Sequence, residues 1–139
     1  MRRRVETKRE VFANPPVDEV FGGFPKKVWQ VIAQDFGSYR IGLYSPEASS
    51  FEEITELEKH DCKEFFILLK GRVVLVLGDD EGGIREVELE FLKPIVVERW
   101  HCGYCPDGPF TGLCLVVERD EFVTDYRPIE EWKRGQEGN

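Results

Sequence analysis

Residues 58–71 read EKHDCKEFFILLKG, and this stretch decides the fold. Its apolar part, residues 65–69, ends just before Gly71. Such an uninterrupted run is typical of a strand that is covered on both faces, either by a second sheet or by a subunit partner. If the preceding residues are also extended, side chains at even spacing point to one face and converge. The residues that share this spacing are Glu58, His60, Cys62 and Glu64.

Short apolar runs continue on both sides of this stretch and are separated by Gly, Pro and Asp turn signals. This spacing predicts an all-β sandwich or barrel. Asn14-Pro15-Pro16 and Gly22-Gly23 interrupt the first ~25 residues, which we expect to form an irregular extension. Asp125-Tyr126-Arg127 is assigned to a polar tail. The predicted strands are 27–33, 39–44, 64–69, 73–77, 84–89, 95–97 and 113–117, and residues 129–133 are predicted to be helical.

Length and composition narrow the possible classes of protein. A chain of 139 residues with 41% hydrophobic and 33% charged residues is typical of one globular domain, here 1–139 with a barrel core at 27–119. The net charge of -8 disfavours nucleic acid, because the one basic cluster, Arg2 to Arg4, is expected to be a solvated tail. No apolar run approaches the ~20 residues of a membrane span. The polar start is unlike a signal peptide, so we expect a cytoplasmic protein whose four cysteines are thiols.

Two histidines and a carboxylate are candidates for a metal site. His60 and His101 are the only histidines in the chain. Glu64 opens the buried strand, where a carboxylate costs several kcal/mol unless it is paired or bound to a metal. Imidazole and carboxylate ligands together suit Zn, Mn, Fe or Ni. The alternative at this point is that each histidine is an ordinary surface or core residue.

The spacing His60, three residues, Glu64, six residues, Gly71 resembles the first metal motif of the cupin superfamily. In that motif two histidines one residue apart precede the glutamate, and here Glu58 stands in the place of the first histidine. Trp100-His101 resembles the end of the second cupin motif. The resemblance implies a double-stranded β-helix (a cupin or jelly-roll barrel) with a short N-terminal extension and a C-terminal helical turn. It also implies a divalent transition metal, of unknown identity, held by His60, Glu64, His101 and Glu58.

The resemblance leaves several functions open. The first is a metal-dependent enzyme, of isomerase, epimerase or lyase type, acting on a small polar metabolite such as a sugar, sugar phosphate or hydroxy acid. Glu58 is its candidate catalytic acid–base group, although it could instead be a metal ligand or a rim residue. The alternatives are a non-enzymatic binding or sensor protein and an iron-dependent dioxygenase. The expected partners are a small-molecule ligand and a second copy of the chain in a homodimer, with neither nucleic acid nor membrane.

Other residues are weaker candidates. Cys102 and Cys105 form a CxxC pair, but the chain has no second pair at zinc-site spacing and no thioredoxin-like context, so we expect loop thiols near the metal. Arg99 and Arg119 could bind an anionic substrate. Aromatic side chains could stack on a sugar ring, although core packing is the more common role. The candidates for stacking are Trp29 and Trp100.

Overall fold

The computed structural model describes residues 1–8 and 27–137, and it consists mostly of antiparallel strands. The first five strands described are β1 (Arg3–Thr7), β2 (Trp29–Asp35), β3 (Tyr39–Tyr44), β4 (Glu56–His60) and β5 (Glu64–Lys70). Six follow: β6 (Val74–Gly78), β7 (Ile84–Glu88), β8 (Ile95–Val97), β9 (Trp100–Tyr104), β10 (Leu113–Arg119) and β11 (Phe122–Pro128). A short 3-10 helix spans Phe51–Glu53, and an α-helix spans Glu130–Glu137.

The strands form two sheets that pack face to face. One sheet has the order β1-β11-β4-β9-β6-β7 and the other has the order β2-β3-β10-β5-β8. Strands that are consecutive in the chain often lie in different sheets, as β4 and β5 do, so the chain crosses repeatedly between the layers. This arrangement is a jelly-roll barrel, and it confirms the predicted double-stranded β-helix with a helix at its C-terminal end.

The strand β6 shows how an apolar run is buried on both faces. Leu75 and Leu77 point into the core between the sheets, whereas Val76 points outward and packs with Trp132. The C-terminal helix therefore covers the outer face of this sheet. Its Trp132 is fully buried, and the indole Nε1 donates a hydrogen bond of 2.8 Å to the carbonyl oxygen of Asp79. The outer face of this strand is thus covered by the chain's own helix. The sequence had predicted a second sheet or a subunit partner in that place.

Four strands were not predicted from the sequence. The largest error concerns Asp125-Tyr126-Arg127, which lies in β11 and not in a polar tail. This strand pairs with β1, so the arginines at the start of the chain are also part of the sheet, which extends beyond the expected core 27–119. The arginines are neutralised by ion pairs, as between Arg4 and Asp125. The edge strand β1 is polar and carries no hydrophobic signal, which is why periodicity missed it. The strands concerned are β1, β4, β9 and β11.

The chain turns between β4 and β5, which contradicts the prediction of one extended stretch. Asp61 stands in this turn, where its Oδ1 atom accepts a hydrogen bond of 2.9 Å from the Val123 amide. Glu58 and His60 consequently belong to one sheet and Glu64 to the other. The segments containing Asn14-Pro15-Pro16 and Gly22-Gly23 lie outside the described residues. Within those residues, no helix is long and apolar enough to cross a membrane.

Candidate metal centre

A cavity of about 300 Å³ lies between the two sheets and contains most of the predicted site residues. The six-stranded sheet contributes polar side chains from β4, β9 and β11, and the five-stranded sheet contributes side chains from β2, β3, β5 and β10. Its titratable lining residues are Arg40, Tyr44, Glu58, His60, Glu64, His101, Glu118 and Tyr126. Aromatic and aliphatic side chains form much of the remaining wall: Val28, Trp29, Phe66, Val116 and Phe122.

Both imidazoles converge on one carboxylate oxygen. The Nε2 atoms of His60 and His101 each lie 2.9 Å from Oε1 of Glu64. The same two Nε2 atoms each lie 3.6 Å from Oε1 of Glu58. The sheet register explains part of this convergence, because Glu58 on β4 lies directly opposite His101 on β9. The structure therefore brings together all four predicted metal ligands, although from three strands in two sheets.

The second nitrogen of each imidazole is also hydrogen-bonded. Nδ1 of His101 lies 2.8 Å from the carbonyl oxygen of Arg99, and Nδ1 of His60 lies 2.7 Å from Oγ1 of Thr124. A carbonyl oxygen can only accept, so Nδ1 of His101 carries the proton. In the neutral ring, the lone pair is then on Nε2 and faces the carboxylates. This pattern, in which the outer ring nitrogen is fixed so that the inner one is free, is typical of metal-ligating histidines.

Glu64 is a buried carboxylate with an unsatisfied oxygen. Although both Nε2 atoms are near its Oε1, neither makes a hydrogen bond of acceptable direction, and this oxygen has no other partner. Burial opposes the ionisation of Glu64, but the neighbouring imidazoles outweigh burial and hold its pKa well below the usual range. Conversely, Glu58 and Glu64 overcome the effect of burial and raise the pKa of His60 to about 10. The two carboxylates thus attract positive charge, which a bound cation can supply in place of the imidazole protons.

The donor set fits a divalent transition metal. Two ligand atoms bound to one ion at about 2.1 Å and at right angles are about 3 Å apart. The separations of 2.9 and 3.6 Å between the nitrogen and oxygen atoms of this cluster bracket that value. The orphaned oxygen of Glu64 and the lone pair on Nε2 of His101 both need a partner, and an ion beside them would supply it. His60, Glu64, His101 and Glu58 could therefore hold a metal together.

Comparison with known proteins bears on the fold and not on the reaction. No family model and no curated protein matches the chain. Among solved structures, a cupin 2 domain-containing protein from Halorhodospira halophila matches 94% of this chain and 86% of its own, with a TM-score of 0.55 and 14% identity. The hydroxypropylphosphonic acid epoxidase from S. wedmorenis, in complex with fosfomycin, covers 66% of this chain, with a TM-score of 0.51 and 16% identity.

The chain has the cupin fold. A cobalt form of hydroxypropylphosphonic acid epoxidase (HppE) in complex with substrate is also similar, with a TM-score of 0.54 and 16% identity over 65% of this chain. The chain spans about half the length of the HppE structures. The matched share of the HppE chain is 48% for the iron form, 50% for the cobalt form and 49% for the complex with fosfomycin. One of these HppE structures is an Fe(II) form and another is a Co(II) form.

In this cupin barrel, Glu58 occupies a position that fits either a ligand or a group beside the ligands. Its side chain is about one-third exposed, which makes it the most accessible member of the cluster. It lies opposite Tyr126 on β11, the strand that pairs with β4. Burial opposes the ionisation of Glu58, but the neighbouring imidazoles of His60 and His101 outweigh burial and lower its pKa. Its Oε1 atom lies 3.6 Å from both Nε2 atoms, which favours a position beside the metal over a solvated rim position.

Sequence reasoning missed a buried ion pair in the same cavity. Arg40 on β3 lies directly opposite Glu118 on β10, and its Nε and Nη2 atoms each lie 2.9 Å from Oε2 of Glu118. Both side chains are more than nine-tenths buried. Within alternating strand sequence, Arg40 resembles a solvent-facing residue, and Glu118 belongs to the charged run 118–121 that is typical of a surface turn. One signal was available in the sequence. Glu118 follows Cys114 and Val116 at even spacing, so in an extended strand its side chain points to the same buried face as theirs.

Several weaker candidates do not belong to the site. Cys62 lies in the turn between β4 and β5, away from the cavity lining. Arg119 forms a surface ion pair with Asp61, and Arg99 is exposed. Trp100 packs against Trp132 on the outer face of its sheet, whereas Trp29 does line the cavity.

The four cysteines are free, as expected. Cys102 is a strand residue in β9 and not a loop thiol as predicted, while Cys105 directly follows that strand. The sulfur of Cys105 accepts a hydrogen bond from the Gly112 amide, and Cys114 is buried in the core. Burial raises the pKa of Cys102 to about 11 and that of Cys114 to about 12, so neither favours the reactive thiolate.

Proposed function

We propose that this protein is a metal-dependent enzyme that acts on a small polar metabolite by acid–base chemistry. Its divalent transition metal is held by His60, Glu64 and His101, with Glu58 as a fourth ligand. The observation that supports this most strongly is the convergence of two Nε2 atoms, each at 2.9 Å, on a buried oxygen of Glu64 that has no hydrogen-bond partner. A purely structural cluster would be expected to satisfy that oxygen.

The charge balance of the cavity supports a divalent ion and an uncharged substrate. Glu58 and Glu64 carry two negative charges, which a divalent ion neutralises when both imidazoles are neutral. When Glu118 is ionised, Arg40 and Glu118 neutralise each other through their ion pair. Among the described lining residues, Arg40 is the one permanent cation, and it is already engaged. A neutral sugar or hydroxyketone therefore fits this cavity better than a sugar phosphate does.

The cavity also has the size and surface of a small-molecule site. Its volume of about 300 Å³ is at the lower end for ligand pockets, which favours a metabolite of a few carbon atoms. The bound ion would supply Lewis-acid polarisation of a carbonyl or hydroxyl oxygen. The rings of Trp29 and Phe66 provide an apolar wall that orients the substrate and excludes water. Hydroxyl groups of Tyr44 and Thr124 offer hydrogen bonds to substrate oxygens.

Oxygen chemistry on iron is the second candidate. A two-histidine, one-carboxylate donor set with open positions is typical of non-haem iron oxygenases. The similarity to iron-bound HppE favours this reading of His60, Glu64 and His101. A binding or sensor protein is the third candidate, and it differs by needing no group in the cavity that transfers a proton.

A thermal-shift screen on metal-loaded protein tests the proposed enzyme. The screen compares neutral sugars and hydroxyketones with sugar phosphates and hydroxy acids, and His101→Ala serves as the metal-deficient control. A ligand at a hundredfold excess over its dissociation constant stabilises the fold by about 2.7 kcal/mol. We expect hits among neutral compounds for the parent and none for the control. If no compound of any class raises the melting temperature, the polar-metabolite enzyme is wrong, and ferrous-dependent oxygen consumption becomes the measurement that decides between the remaining candidates.

A further inference from the structure

Glu118 is a buried carboxylate inside the cavity that the proposed metal ligands leave unused. Its side chain is 3% exposed, yet it lines the same cavity as the histidines. Ligand atoms of His60, Glu64 and Glu118 all lie within 4.8 Å of one another. However, Glu118 makes no contact with either histidine as close as those of Glu58 and Glu64. Its carboxylate therefore lies beside the proposed metal position, and the outcome of metal titration distinguishes a neighbouring group from a ligand.

Arg40 holds this carboxylate in one orientation. Both guanidinium contacts, at 2.9 Å, go to Oε2, so Oε1 takes part in neither and is the oxygen left for a ligand. Arg40 is itself fixed, because its guanidinium lies 5.4 Å from the ring centre of Trp29 and 4.9 Å from that of Phe122. A rigid carboxylate with one free oxygen is the arrangement that positioned proton transfer requires.

The charged groups around Glu118 come from three neighbouring strands. Arg40 on β3 favours the ionised form, as does His60 on β4, while Glu64 on β5 disfavours it. Burial is the largest influence, and with Glu64 it raises the pKa of Glu118 to about 7 despite Arg40. Burial therefore makes this carboxylate a stronger proton acceptor than a solvated glutamate.

We propose that Glu118, and not Glu58, is the catalytic acid–base residue, with Arg40 as its positioning residue. This inference rests on the proposed metal-dependent function. In the step assigned to it, Oε1 of Glu118 removes a proton from the carbon next to a substrate carbonyl. The C–H bond breaks, an O–H bond forms on Glu118, and the electron pair moves to the carbonyl oxygen to give an enediol or enolate. The remaining hydroxyl proton then passes to the former carbonyl oxygen, and Glu118 returns its proton to the former carbonyl carbon. A new carbonyl forms at the neighbouring carbon, which completes an isomerisation with no oxidant or reductant needed.

Exchange of substrate hydrogen with deuterated water tests this assignment. The probes are hydroxyacetone and dihydroxyacetone, followed by proton NMR with metal-loaded parent, Glu118→Gln and the control Glu88→Gln. Glu88 is matched because it is also a glutamate paired with an arginine, Arg72, but on the surface. We expect exchange in the parent and control, and a loss of about 10²–10⁴-fold in Glu118→Gln. Metal affinity, measured by calorimetric titration with Mn²⁺, should stay within about threefold in all three.

Each other outcome contradicts a different statement. If Glu118→Gln exchanges as fast as the parent, the assignment of Glu118 is wrong while the proposed function stands. If Glu118→Gln loses Mn²⁺, the residue is a ligand and the assignment is wrong for that reason. If the metal-loaded parent catalyses no exchange, the acid–base function fails and takes the assignment with it. Should Glu118→Gln not fold, Glu118→Asp keeps the ion pair but displaces the oxygen, and we expect it to lose about 10²-fold in exchange.

Discussion

The Nε2 atom of His101 lies 2.9 Å from Oε1 of Glu64, across the interface between the two sheets of the barrel. His101 is on β9 of the six-stranded sheet and Glu64 is on β5 of the five-stranded sheet. A metal ion bound to both would connect the two layers of the fold, as would one bound to His60 and Glu64. Metal binding and folding should therefore be linked, because the ligands come together only when the sheets are packed.

Replacing Glu58 distinguishes a ligand from a proton-transfer group. We expect Glu58→Gln to weaken metal binding, because a neutral amide oxygen is a poorer ligand than a carboxylate and removes one of about four donors. The loss should be about 10–100-fold, measured by calorimetric titration with Mn²⁺. Glu56→Gln is the matched control, since Glu56 is on the same strand and pairs with Arg3 at the surface. Unchanged affinity together with lost turnover would instead restore Glu58 as the acid–base group.

The sequence indicated the candidate metal ligands for two physical reasons. Only two histidines exist in the chain, and Glu64 opens an apolar run where a free carboxylate is costly. The reasoning from alternation was nevertheless partly wrong, because it required one extended strand from Glu58 to Glu64. The chain turns at Asp61, so Cys62 leaves the site while His60 and Glu64 meet from opposite sheets. Alternation describes one strand and cannot reveal a crossing between layers.

Truncating Trp132 tests how the C-terminal helix supports the barrel. Its indole is 1% exposed and packs against Val76 and Trp100 on the outer face of the six-stranded sheet. We expect Trp132→Ala to reduce the free energy of unfolding by about 3–5 kcal/mol, measured by urea denaturation of the metal-free protein. Phe36→Ala, at a half-exposed aromatic residue, should cost much less. An equally small loss for Trp132 would mean that the helix does not stabilise the sheet.

The residues that sequence reasoning missed share one property. Arg40 and Glu118 are charged, lie on ordinary short strands and become a buried pair only through the pairing of β3 with β10. That pairing joins residues 78 positions apart, which local periodicity cannot detect. Both are charged types that sequence reasoning places at the surface by default, and only the register shows that they neutralise each other.

Assembly remains a prediction, and an exposed apolar group provides its test. Phe91, Leu92 and Val96 are 65%, 54% and 60% exposed, and they lie in or near the edge strand β8. We expect a homodimer in which a second copy covers these side chains, with a mass by light scattering of about twice 16.1 kDa. Phe91→Glu should give the monomer mass, and Phe36→Glu should not. A parent that is monomeric at micromolar concentration would contradict the homodimer.

Metal stoichiometry tests the central claim most directly. The parent, His60→Ala and His101→Ala proteins are stripped with chelator, reloaded separately with Zn²⁺, Mn²⁺, Fe²⁺ or Ni²⁺, and freed of excess ion before elemental analysis. Circular dichroism confirms that each variant is folded. We predict close to one tightly bound ion per chain for the parent with at least one of these metals, and less than about one-tenth as much for either variant, because each loses one of about four ligands. Retention of a full equivalent by folded His101→Ala, or no binding by the parent, would contradict the metal centre described here.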